Sequence, residues 1–397
     1  MNQRRRFLSW ASRSLSAFAL GSTGITAARS SAAANSLFGN PAGLGSLGEP
    51  DANGIRLLPG FRSRLIARSG NPVLPGSAYR WHGRPDGAAS FATPDGGWIL
   101  VSNSEVRRVD GGGGVGAIRF DARGNIVDAY PILAGSDYNC AGGKTPWQTW
   151  LSCEEVDRGF VYECDPFGVA PARVLPALGR FRHEAAAVDA RNGHLYLTED
   201  EEDGCFYRFL PARPLPCLEA GTLQVAEIVG DEGQGARRVV WHDVPDPSAS
   251  WQRTSHQVAE ASWFNGGEGI AWDAGLVYFT TKGDDRVWVY DTANSTIDVL
   301  YDAATAAVPE LRGVDNLVIS AAGDVLVAED GDDMQIVLLA PQGLVMPILQ
   351  VVGQDESEIC GPAFDPGFRR LYFASQTGPY DRDDDGIVYE ISRIPSS

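Results

Sequence analysis

Hydrophobic and polar positions recur along the chain in units of three short segments. The unit at residues 183–211 begins with HEAAAVD, continues after an Asn-Gly turn with HLYLTE, and ends after an acidic turn with CFYRFLP. Apolar residues alternate with polar or small ones within the segments, which is typical of β-strands. Gly, Asp and Asn lie between the segments, where tight turns favour them. The pattern therefore predicts strand, turn, strand, turn, strand.

The same pattern occurs six times. Units of this kind lie around Glu184, Glu268, Asp315 and Gly361, and two weaker ones, DGAASFATPDGGWILVSNSE and GGKTPWQTWLSCEE, precede them. Repeated β-meanders without a helical period between them predict an all-β fold, a six-bladed β-propeller whose sheets surround a central channel. A β-sandwich is the alternative architecture, but it does not explain why the same turn chemistry recurs in every unit.

The first residues have the pattern of an export signal. Arg4, Arg5 and Arg6 precede Phe-Leu, a mildly apolar stretch follows, and small residues near position 30 offer a cleavage site. The order basic, apolar, small is typical of a twin-arginine signal peptide. We therefore expect residues 1–34 to be read by the twin-arginine export machinery and the mature protein to be periplasmic or secreted. The apolar stretch is shorter than the roughly 20 residues that span a bilayer, so no stable membrane insertion is expected.

The remaining residues, 35–397, are expected to form a single propeller domain. Residues 211–263 are Pro-rich and lack clean alternation, which predicts a loop insertion over one face of the propeller. The six cysteines contain no C-x-x-C pair, and their disulfide connectivity stays open, with Cys153–Cys164 and Cys205–Cys217 as two possibilities.

The charge of the chain limits its partners. Its 397 residues include 51 acidic and 33 basic side chains, for a formal net charge of −18. Nucleic-acid binding is not expected, because Lys and Arg must neutralise the phosphates of a polyanion. Hydrophobic residues make up 44% of the chain, which is enough for a large core. We expect a monomer.

The repeats place acidic residues at equivalent positions. Glu184, Glu268 and Asp315 with Asn316 lie at the head of the first strand of their units. The first strand of a propeller blade lines the channel, so these side chains should converge on one axis. A second acidic set follows the second strand of its units: Glu105, Glu154 with Glu155, and Glu329 with Asp330. Converging carboxylates must be protonated or neutralised by cations, and Ca²⁺ takes carboxylate oxygens.

The most distinctive run is NCAGGKTPWQTWLSCEE at residues 139–155. It resembles the signature N-C-x-G-G-x-T-P-W-G-T-W-L-x-C-E-E of the PhoX-type alkaline phosphatases. The similarity extends to GRFRHE at 179–184, YLTED at 196–200, DGCFYRF at 203–209 and DNL at 315–317. It covers roughly residues 50–395, which is nearly all of the expected mature chain.

The resemblance implies an exported six-bladed propeller phosphatase that hydrolyses small phosphate monoesters, with diesters as a further substrate class. It also implies Fe³⁺ and Ca²⁺ in the channel. By motif, Cys140 would be the thiolate ligand of iron. The carboxylate ligands shared with calcium would be Glu154, Glu184 and Glu268, and the calcium shell would be completed by Asp315, Asn316, Glu329 and Glu105. Catalysis is implied to depend on Glu184 and Glu268.

Alternation along a strand limits this ligand set. Because successive side chains point to opposite faces, only one of Glu154 and Glu155 is expected to face the metals.

The chain departs from the resembled pattern at a position of chemical interest. Two residues before Glu268, where the resemblance implies an arginine that clamps phosphate, the chain has Gly266. Candidates for a replacement cation are Arg180, Arg182 and Lys282. Two other functions stay open: a calcium-dependent propeller lactonase or related ester hydrolase, and a non-catalytic binding propeller stabilised by metal.

Overall fold

The computed structural model describes residues 37–39, 41–233, 235–307, 309–331 and 333–395. The predicted signal peptide, residues 1–34, lies outside the described residues. Within them the secondary structure consists of 26 strands and six 3-10 helices of three residues each. No helix in the described part of the chain is long and apolar enough to cross a membrane.

The strands are short and follow one another closely. The first ten are β1 (Ile55–Leu57), β2 (Phe61–Arg68), β3 (Pro85–Ala92), β4 (Trp98–Ser104), β5 (Gly113–Phe120), β6 (Ile126–Ser136), β7 (Asn139–Lys144), β8 (Trp150–Glu154), β9 (Val161–Cys164) and β10 (Arg173–Val174). The next nine are β11 (His183–Asp189), β12 (His194–Glu199), β13 (Phe206–Pro211), β14 (Gly221–Val229), β15 (Arg237–Asp243), β16 (Gly267–Asp273), β17 (Leu276–Thr281), β18 (Arg286–Asp291) and β19 (Thr296–Asp302). The last seven are β20 (Val314–Ile319), β21 (Val325–Glu329), β22 (Gln335–Leu339), β23 (Val345–Val351), β24 (Ile359–Phe364), β25 (Arg370–Ser375) and β26 (Ile387–Arg393).

The 3-10 helices lie in the connections between strands. They span Pro41–Gly43, Arg108–Asp110, Pro176–Leu178, Thr254–His256, Lys282–Asp284 and Gly378–Tyr380.

The strands pair into antiparallel meanders. The sheets have the orders β3-β4-β5-β6, β7-β8-β9-β10, β20-β21-β22-β23 with β1 at the edge, and β24-β25-β26 with β2 at the edge. A nine-stranded sheet contains two further meanders, β11–β14 and β16–β19. They are joined by β15, which pairs with β19 at only two positions, Arg237↔Ile297 and Arg238↔Thr296.

The first strands of the meanders surround a common axis. The strands β3, β7, β11, β16, β20 and β24 each contact the next one, and the cycle closes between β24 and β3. We call them the inner strands. The N-terminal strand β2 pairs with β26 from Phe61↔Arg393 to Arg68↔Ile387, so the start of the domain completes its last sheet. This pairing covers an edge that would otherwise expose unpaired backbone groups.

The hydrophobic core is divided among the spaces between meanders. Six buried clusters fill the gaps between successive meanders around the cycle. In one of them the rings of Phe206 and Phe279, from neighbouring meanders, stack with centroids 4.5 Å apart. A sandwich would have a single core between two sheets. The prediction of an all-β fold with a propeller-like arrangement of sheets is therefore confirmed.

The segment 211–263 differs from its prediction as one long loop. It contains strands β14 and β15, and only its last part is a loop, with a 3-10 helix at Thr254–His256. Leu223 and Val225 alternate with polar neighbours and are buried, which is the pattern of a strand packed on one side. The Pro-rich sequence on either side of these strands obscured that alternation.

The six cysteines are free thiols. Cys153 and Cys164 lie on adjacent strands but not opposite each other, because Cys153 pairs with Val161 and Cys164 with Trp150.

Candidate active site

The second residue of every inner strand is a potential metal ligand. These residues, which we call the inner ring, are Asp86, Cys140, Glu184, Glu268, Asp315 and Cys360. All six are buried. The pairing of each inner strand with its second strand is interrupted by a bulge, which begins at this residue in five strands and directly after it in β24, where Cys360 pairs with Ala374. A β-bulge re-aims side chains, which explains how one position in each strand can present its side chain at the channel.

A second ring follows the second strand of each meander. These residues, the outer ring, are Glu105, Glu155, Asp200, Lys282, Asp330 and Gln376. Each outer-ring residue directly follows the last residue of a second strand. That last residue pairs with the first residue of the inner strand, as in Thr281↔Gly267 and Glu329↔Val314. Together the two rings hold eight carboxyl groups and one ammonium group, that of Lys282.

Side chains of the second strands hold the bulges in place. They donate hydrogen bonds to the backbone carbonyls of inner-ring residues on the next meander: Asn103 Nδ2 to Cys140 O (2.9 Å), Thr198 Oγ1 to Glu268 O (2.6 Å) and Thr280 Oγ1 to Asp315 O (2.6 Å). These buried bonds satisfy carbonyls that the bulge removes from the ladder. They therefore fix the positions from which the ring side chains project.

The ring side chains form three overlapping groups of potential metal ligands. Within each group the ligand atoms lie within 4.8 Å of one another; the groups are Asp86, Glu105 and Cys140; Cys140, Glu155 and Glu184; and Glu184, Glu268 and Asp315. Cys140 and Glu184 each belong to two groups, and Cys140 Sγ lies 3.3 Å from Glu184 Oε1. The three groups therefore form one continuous cluster.

Burial and mutual repulsion raise the pKa values of these carboxyl groups. Burial, followed by the charges of Glu268 and Glu155, raises the pKa of Glu184 well above its usual value. Burial, opposed by the nearby Lys282, raises the pKa of Glu268 to about 8. Burial and Asp200 raise the pKa of Glu155 to about 7. Without a cation the cluster would hold protons at neutral pH, and metal binding would release them.

The chemistry of the donor set fits metal ions. Glu184 Oε2 is buried and has no hydrogen-bond partner among the described residues. A buried carboxylate oxygen without a partner is costly unless a cation satisfies it. Carboxylate oxygens suit hard cations such as Ca²⁺, and a thiolate among them adds a ligand that transition metals take.

Four more of the sequence-predicted residues take part in or touch this cluster. Glu105 and Asp315 belong to the groups above. Asn316 donates from Nδ2 to Asp315 Oδ1 (2.9 Å) and accepts at Oδ1 from the Gly361 N–H (2.7 Å), so its amide connects two inner strands. Glu155, the alternative to Glu154, lies with Cys140 and Glu184.

The carboxylates of Glu154 and Glu329 instead accept backbone N–H groups from neighbouring segments. The carboxylate of Glu154 accepts the backbone N–H groups of Asp137 (2.9 Å) and Phe160 (3.0 Å). The carboxylate of Glu329 accepts those of Arg312 and Gln335, both at 3.1 Å. Neither belongs to the ligand groups formed by the described residues. Each is the last residue of its second strand, one position before the outer ring, so it faces away from the cluster.

The candidate replacement cations lie at different distances from the cluster. Lys282 Nζ is 2.9 Å from Glu268 Oε1 and 3.3 Å from Asp330 Oδ2. The guanidinium of Arg182 contacts Glu155. Arg180 instead donates to the backbone carbonyl of Arg158 (2.8 Å). Lys282 and Arg182 are therefore the candidates that the fold brings to the rings.

Gly266 lies directly beside Lys282. Its carbonyl accepts the Lys282 N–H (2.8 Å), and its φ of +66° is one that residues with a side chain rarely adopt. A Cβ there would lie 3.3 Å from Asp200 Oδ1. The arginine that the resemblance implies at position 266 is therefore absent. The backbone of Lys282 contacts that of Gly266, so a lysine is the neighbouring cationic residue.

Several ring residues were not identified from the sequence. Asp86 could have been found, because Asp86-Gly-Ala-Ala aligns with Glu184-Ala-Ala-Ala at the head of its unit. Arg84, in the turn before β3, is not a ring residue but contacts the outer ring, because its Nη2 lies 3.2 Å from Glu105 Oε2. The repeat does not indicate this contact. Asp200 and Gln376 can be recognised as ring residues only when the ends of the second strands are known, whereas Asp330 was already part of the second acidic set.

Comparisons with known proteins agree with this architecture. A model of the alkaline phosphatase PhoX family matches residues 95–158 and 156–301. Pseudomonas fluorescens PhoX in complex with vanadate, a transition state analogue, has a TM-score of 0.70 and 18% identity over 88% of this chain and 98% of that chain. A structural genomics protein of unknown function from Bacteroides thetaiotaomicron has a TM-score of 0.52 and 10% identity over 84% of this chain and 76% of that one. At these identities the two structures show the fold alone. No curated protein sequence matches the chain.

The matched regions of the family model contain seven ring residues. They are Glu105, Cys140, Glu155, Glu184, Asp200, Glu268 and Lys282, and they fall within 95–158 and 156–301. These regions make up more than half of the chain. The chain therefore belongs to the PhoX family of alkaline phosphatases.

Proposed function

We propose that this protein hydrolyses phosphate monoesters at a cluster of iron and calcium ions held by the two rings. The observation that carries the proposal is the continuous set of ligand groups joined through Cys140 and Glu184. The family is one of metal-dependent phosphatases, and the fit of the donor set agrees with that dependence. The family match favours this function over the lactonase and the non-catalytic binding protein considered from the sequence.

The ligand groups suggest which residues would hold each metal. Cys140, Glu155 and Glu184 would hold Fe³⁺, because this group combines a thiolate with carboxylates. The two flanking groups would hold Ca²⁺ through Asp86 and Glu105 on one side and Glu268 and Asp315 on the other. Glu155 thus takes the place that the sequence assigned to Glu154.

The chain's own cations would bind and orient the phosphate. When bound, metal ions supply Lewis acidity toward phosphoryl oxygens and lower the pKa of water. Lys282 contacts Glu268 and Asp330, which leaves one of its three N–H donors for a phosphate oxygen. Its side chain is 38% exposed. We propose that Lys282 fulfils the role of the arginine that is absent at Gly266.

We also propose that the propeller has six blades. Five four-stranded meanders and a sixth of three strands that β2 completes, six inner strands in a closed cycle and six intervening core clusters support this count. The long sheet would then be two blades joined by β15.

Export by the twin-arginine route completes the proposal. It rests on Arg4 and Arg5 in a segment with the order basic, apolar, small, and on the typical export of the family. Replacing both arginines with Lys should retain the protein in the cytoplasm, whereas unchanged periplasmic accumulation would contradict this route. Its monomeric state stays a prediction.

Two glutamates test the proposed site. Glu184→Gln and Glu154→Gln each remove one buried carboxylate while keeping side-chain volume, but only Glu184 belongs to the ligand groups. We expect Glu184→Gln to abolish turnover of 4-nitrophenyl phosphate at alkaline pH and to lower the metal content. Glu154→Gln should retain metal and turnover, and lose about 1–3 kcal/mol of stability because its amide replaces a carboxylate that accepts two N–H groups. Equal activity of both variants would contradict the assignment.

A further inference from the structure

A cavity of about 200 Å³ shares one side chain, Arg182, with the contacts of the ligand cluster. Its walls come from the turn after β8, the segment before β11 and loop residues 249–254. Arg182 lines this cavity, and the same guanidinium contacts Glu155 in the outer ring. Arg182 therefore connects the lining of the cavity to the outer ring.

Positive charge is concentrated in this cavity. Four arginines line it, namely Arg158, Arg180, Arg182 and Arg253. Arg182 and Arg253 are paired with carboxylates. Arg158 and Arg180 form no ion pair with a carboxylate in the described part of the chain; the Arg158 guanidinium donates to Ser248 O (3.2 Å) and that of Arg180 to Arg158 O (2.8 Å).

Three acidic residues also line the cavity, namely Asp157, Glu199 and Glu201, and none of them forms an ion pair with Arg158 or Arg180 in the described part of the chain. Glu199 is buried, and its Oε2 accepts the Tyr207 hydroxyl (2.7 Å) and the Cys205 N–H (3.0 Å). Glu201 lies 3.5 Å from Arg253. Two guanidinium groups without acidic partners stand out in a chain of net charge −18. Guanidinium groups bind carboxylates and phosphates through paired N–H donors.

An aromatic side chain completes the cavity. Trp251 lines it, and 65% of this side chain is exposed. An exposed indole offers a face against which a planar group can stack. The loop that carries Trp251 is held by Asp246, whose carboxylate accepts the N–H groups of Ser248 (3.1 Å) and Ser250 (2.7 Å). The loop conformation is therefore fixed before any ligand binds.

We propose that this cavity is the subsite for the leaving group of the phosphate ester, and that it selects esters whose leaving group carries a planar ring and a second anionic group. Arg158 and Arg180 bind the anionic group, and Trp251 stacks on the ring. Aryl phosphates with an anionic substituent and nucleoside bisphosphates have this chemistry. The inference rests on the proposed function, because it assumes that the phosphoryl group lies at the metal cluster.

A matched pair of substrates tests the subsite. 4-Carboxyphenyl phosphate and 4-carbamoylphenyl phosphate have nearly the same shape and differ in one negative charge. For the metal-loaded protein we expect kcat/KM to be about tenfold higher for the carboxylate ester, which is the effect of one charge-assisted hydrogen-bonded contact. Equal kcat/KM for the two esters would overturn the proposal.

Arginine variants locate the effect. Arg158→Gln should reduce the preference for the carboxylate ester to near unity. Arg123→Gln, an exposed arginine in the turn between β5 and β6, makes the same change in net charge and should keep the preference. Loss of the preference in both variants would show a general field effect and would contradict the subsite.

A tryptophan variant tests the stacking contact. Trp251→Ala should lower kcat/KM for both aryl esters about tenfold relative to glycerol phosphate, and Trp251→Phe should restore most of it. Equal losses for aryl and glycerol esters would contradict the stacking role.

Binding of inert analogues separates this inference from the proposed function. The phosphonates that correspond to the two aryl esters cannot be hydrolysed, and their dissociation constants can be measured by calorimetry. Preferred binding of the carboxylate analogue without any ester turnover would refute the phosphatase proposal and retain the subsite. Turnover without preferred binding would refute the subsite and retain the phosphatase proposal.

Discussion

Cys140 and Cys360 occupy the same position in their inner strands but have different neighbours. Cys140 Sγ donates to Glu184 Oε1 (3.3 Å) and belongs to two ligand groups. Cys360 Sγ donates to the backbone carbonyl of Pro85 (3.0 Å) and belongs to none of the groups among the described residues. Burial raises the pKa of both thiols well above the usual value, so either would be protonated without a metal. The difference between them is therefore the presence of carboxylates that could share a metal ion with the thiol.

This difference predicts the behaviour of two serine variants. Cys140→Ser should lose most of its iron and the visible absorption of a ferric thiolate, because a hydroxyl is a much poorer ligand than a thiolate. Cys360→Ser makes the same chemical change at the equivalent ring position and should retain both. Metal analysis and absorbance spectra of the two purified proteins measure the effect. The same iron content in both variants would show that Cys140 is not a ligand.

At the scale of the residue, the sequence indicates which residue types form the site better than it indicates the directions of their side chains. Alternation correctly limited Glu154 and Glu155 to one inward side chain, but it could not choose between them. The choice depends on where β8 ends and on the N–H groups of Asp137 and Phe160 that capture Glu154. Both contacts depend on the folded positions of loops, so the alternation of residues along the strand cannot predict them.

At the scale of the strand, the close approach of inner strands requires small residues next to the ring. A Cβ added at Gly269 would lie 2.6 Å from Asn316 Cα, and one at Gly87 would lie 2.5 Å from Ala141 Cα. Real Cβ atoms do not approach backbone atoms this closely, so a larger residue would push two inner strands apart. The glycines thus allow the inner strands to approach closely enough for ring side chains to form shared ligand groups.

We therefore expect Gly269→Ala to displace the inner strand β20. The variant should lose about 1–3 kcal/mol of stability, as is typical of overpacking, and most of its metal-dependent activity. Gly43→Ala is the control, because a Cβ at Gly43 meets nothing within 4 Å. Thermal unfolding and metal content report the two effects. Normal metal binding by Gly269→Ala would refute the idea that spacing of these strands governs the site.

The elements themselves were largely predictable. The alternation of apolar and polar residues, with acidic or Gly-containing turns between the segments, predicted the meanders. As expected, the first turns of these meanders begin after strands whose second residues are Glu184, Glu268 and Asp315. The bulges were not predictable, because a bulge changes pairing without changing the alternating composition. They lie next to the second residue of each inner strand, and five of these six residues belong to the ligand groups among the described residues, with Cys360 as the exception.

At the scale of the whole molecule, the carboxyl groups of the cluster make the free energy of unfolding depend on pH. In the metal-free protein the folded pKa values of Glu155 (about 7) and Glu268 (about 8) exceed the ordinary value of 4.5. Between about pH 5 and pH 8 the folded state then binds more protons than the unfolded state. The free energy of unfolding must fall as pH rises, by about 1.4 kcal/mol per pH unit for each additional bound proton.

The melting temperature of the metal-free protein should therefore be higher at pH 5 than at pH 8. The metal-loaded protein should lose this dependence, because cations replace the protons and stabilise the carboxylates at high pH. Thermal unfolding of both forms across this range makes the comparison. If the metal-free protein is as stable at pH 8 as at pH 5, the carboxyl groups do not share a cation-free cluster.

The sequence predicted the architecture of the whole molecule from a repeat and its function from one distinctive run. It did not predict the leaving-group cavity, because Arg158, Arg180 and Trp251 lie far apart in the chain and only the fold brings them to one wall. Lys282 could be named only as one candidate among three, since its contact with Glu268 depends on the turn after β17.

The central claim is that channel-bound metals and the ring residues hydrolyse phosphate monoesters. The most direct test measures 4-nitrophenyl phosphate turnover at alkaline pH by the mature protein as purified, after complete removal of metals, and after return of iron and calcium together. We predict turnover by the purified protein, its loss on metal removal, and its recovery only when both metals are returned. Undiminished turnover by the metal-free protein, or no turnover by a protein that contains its full complement of both metals, would contradict the account.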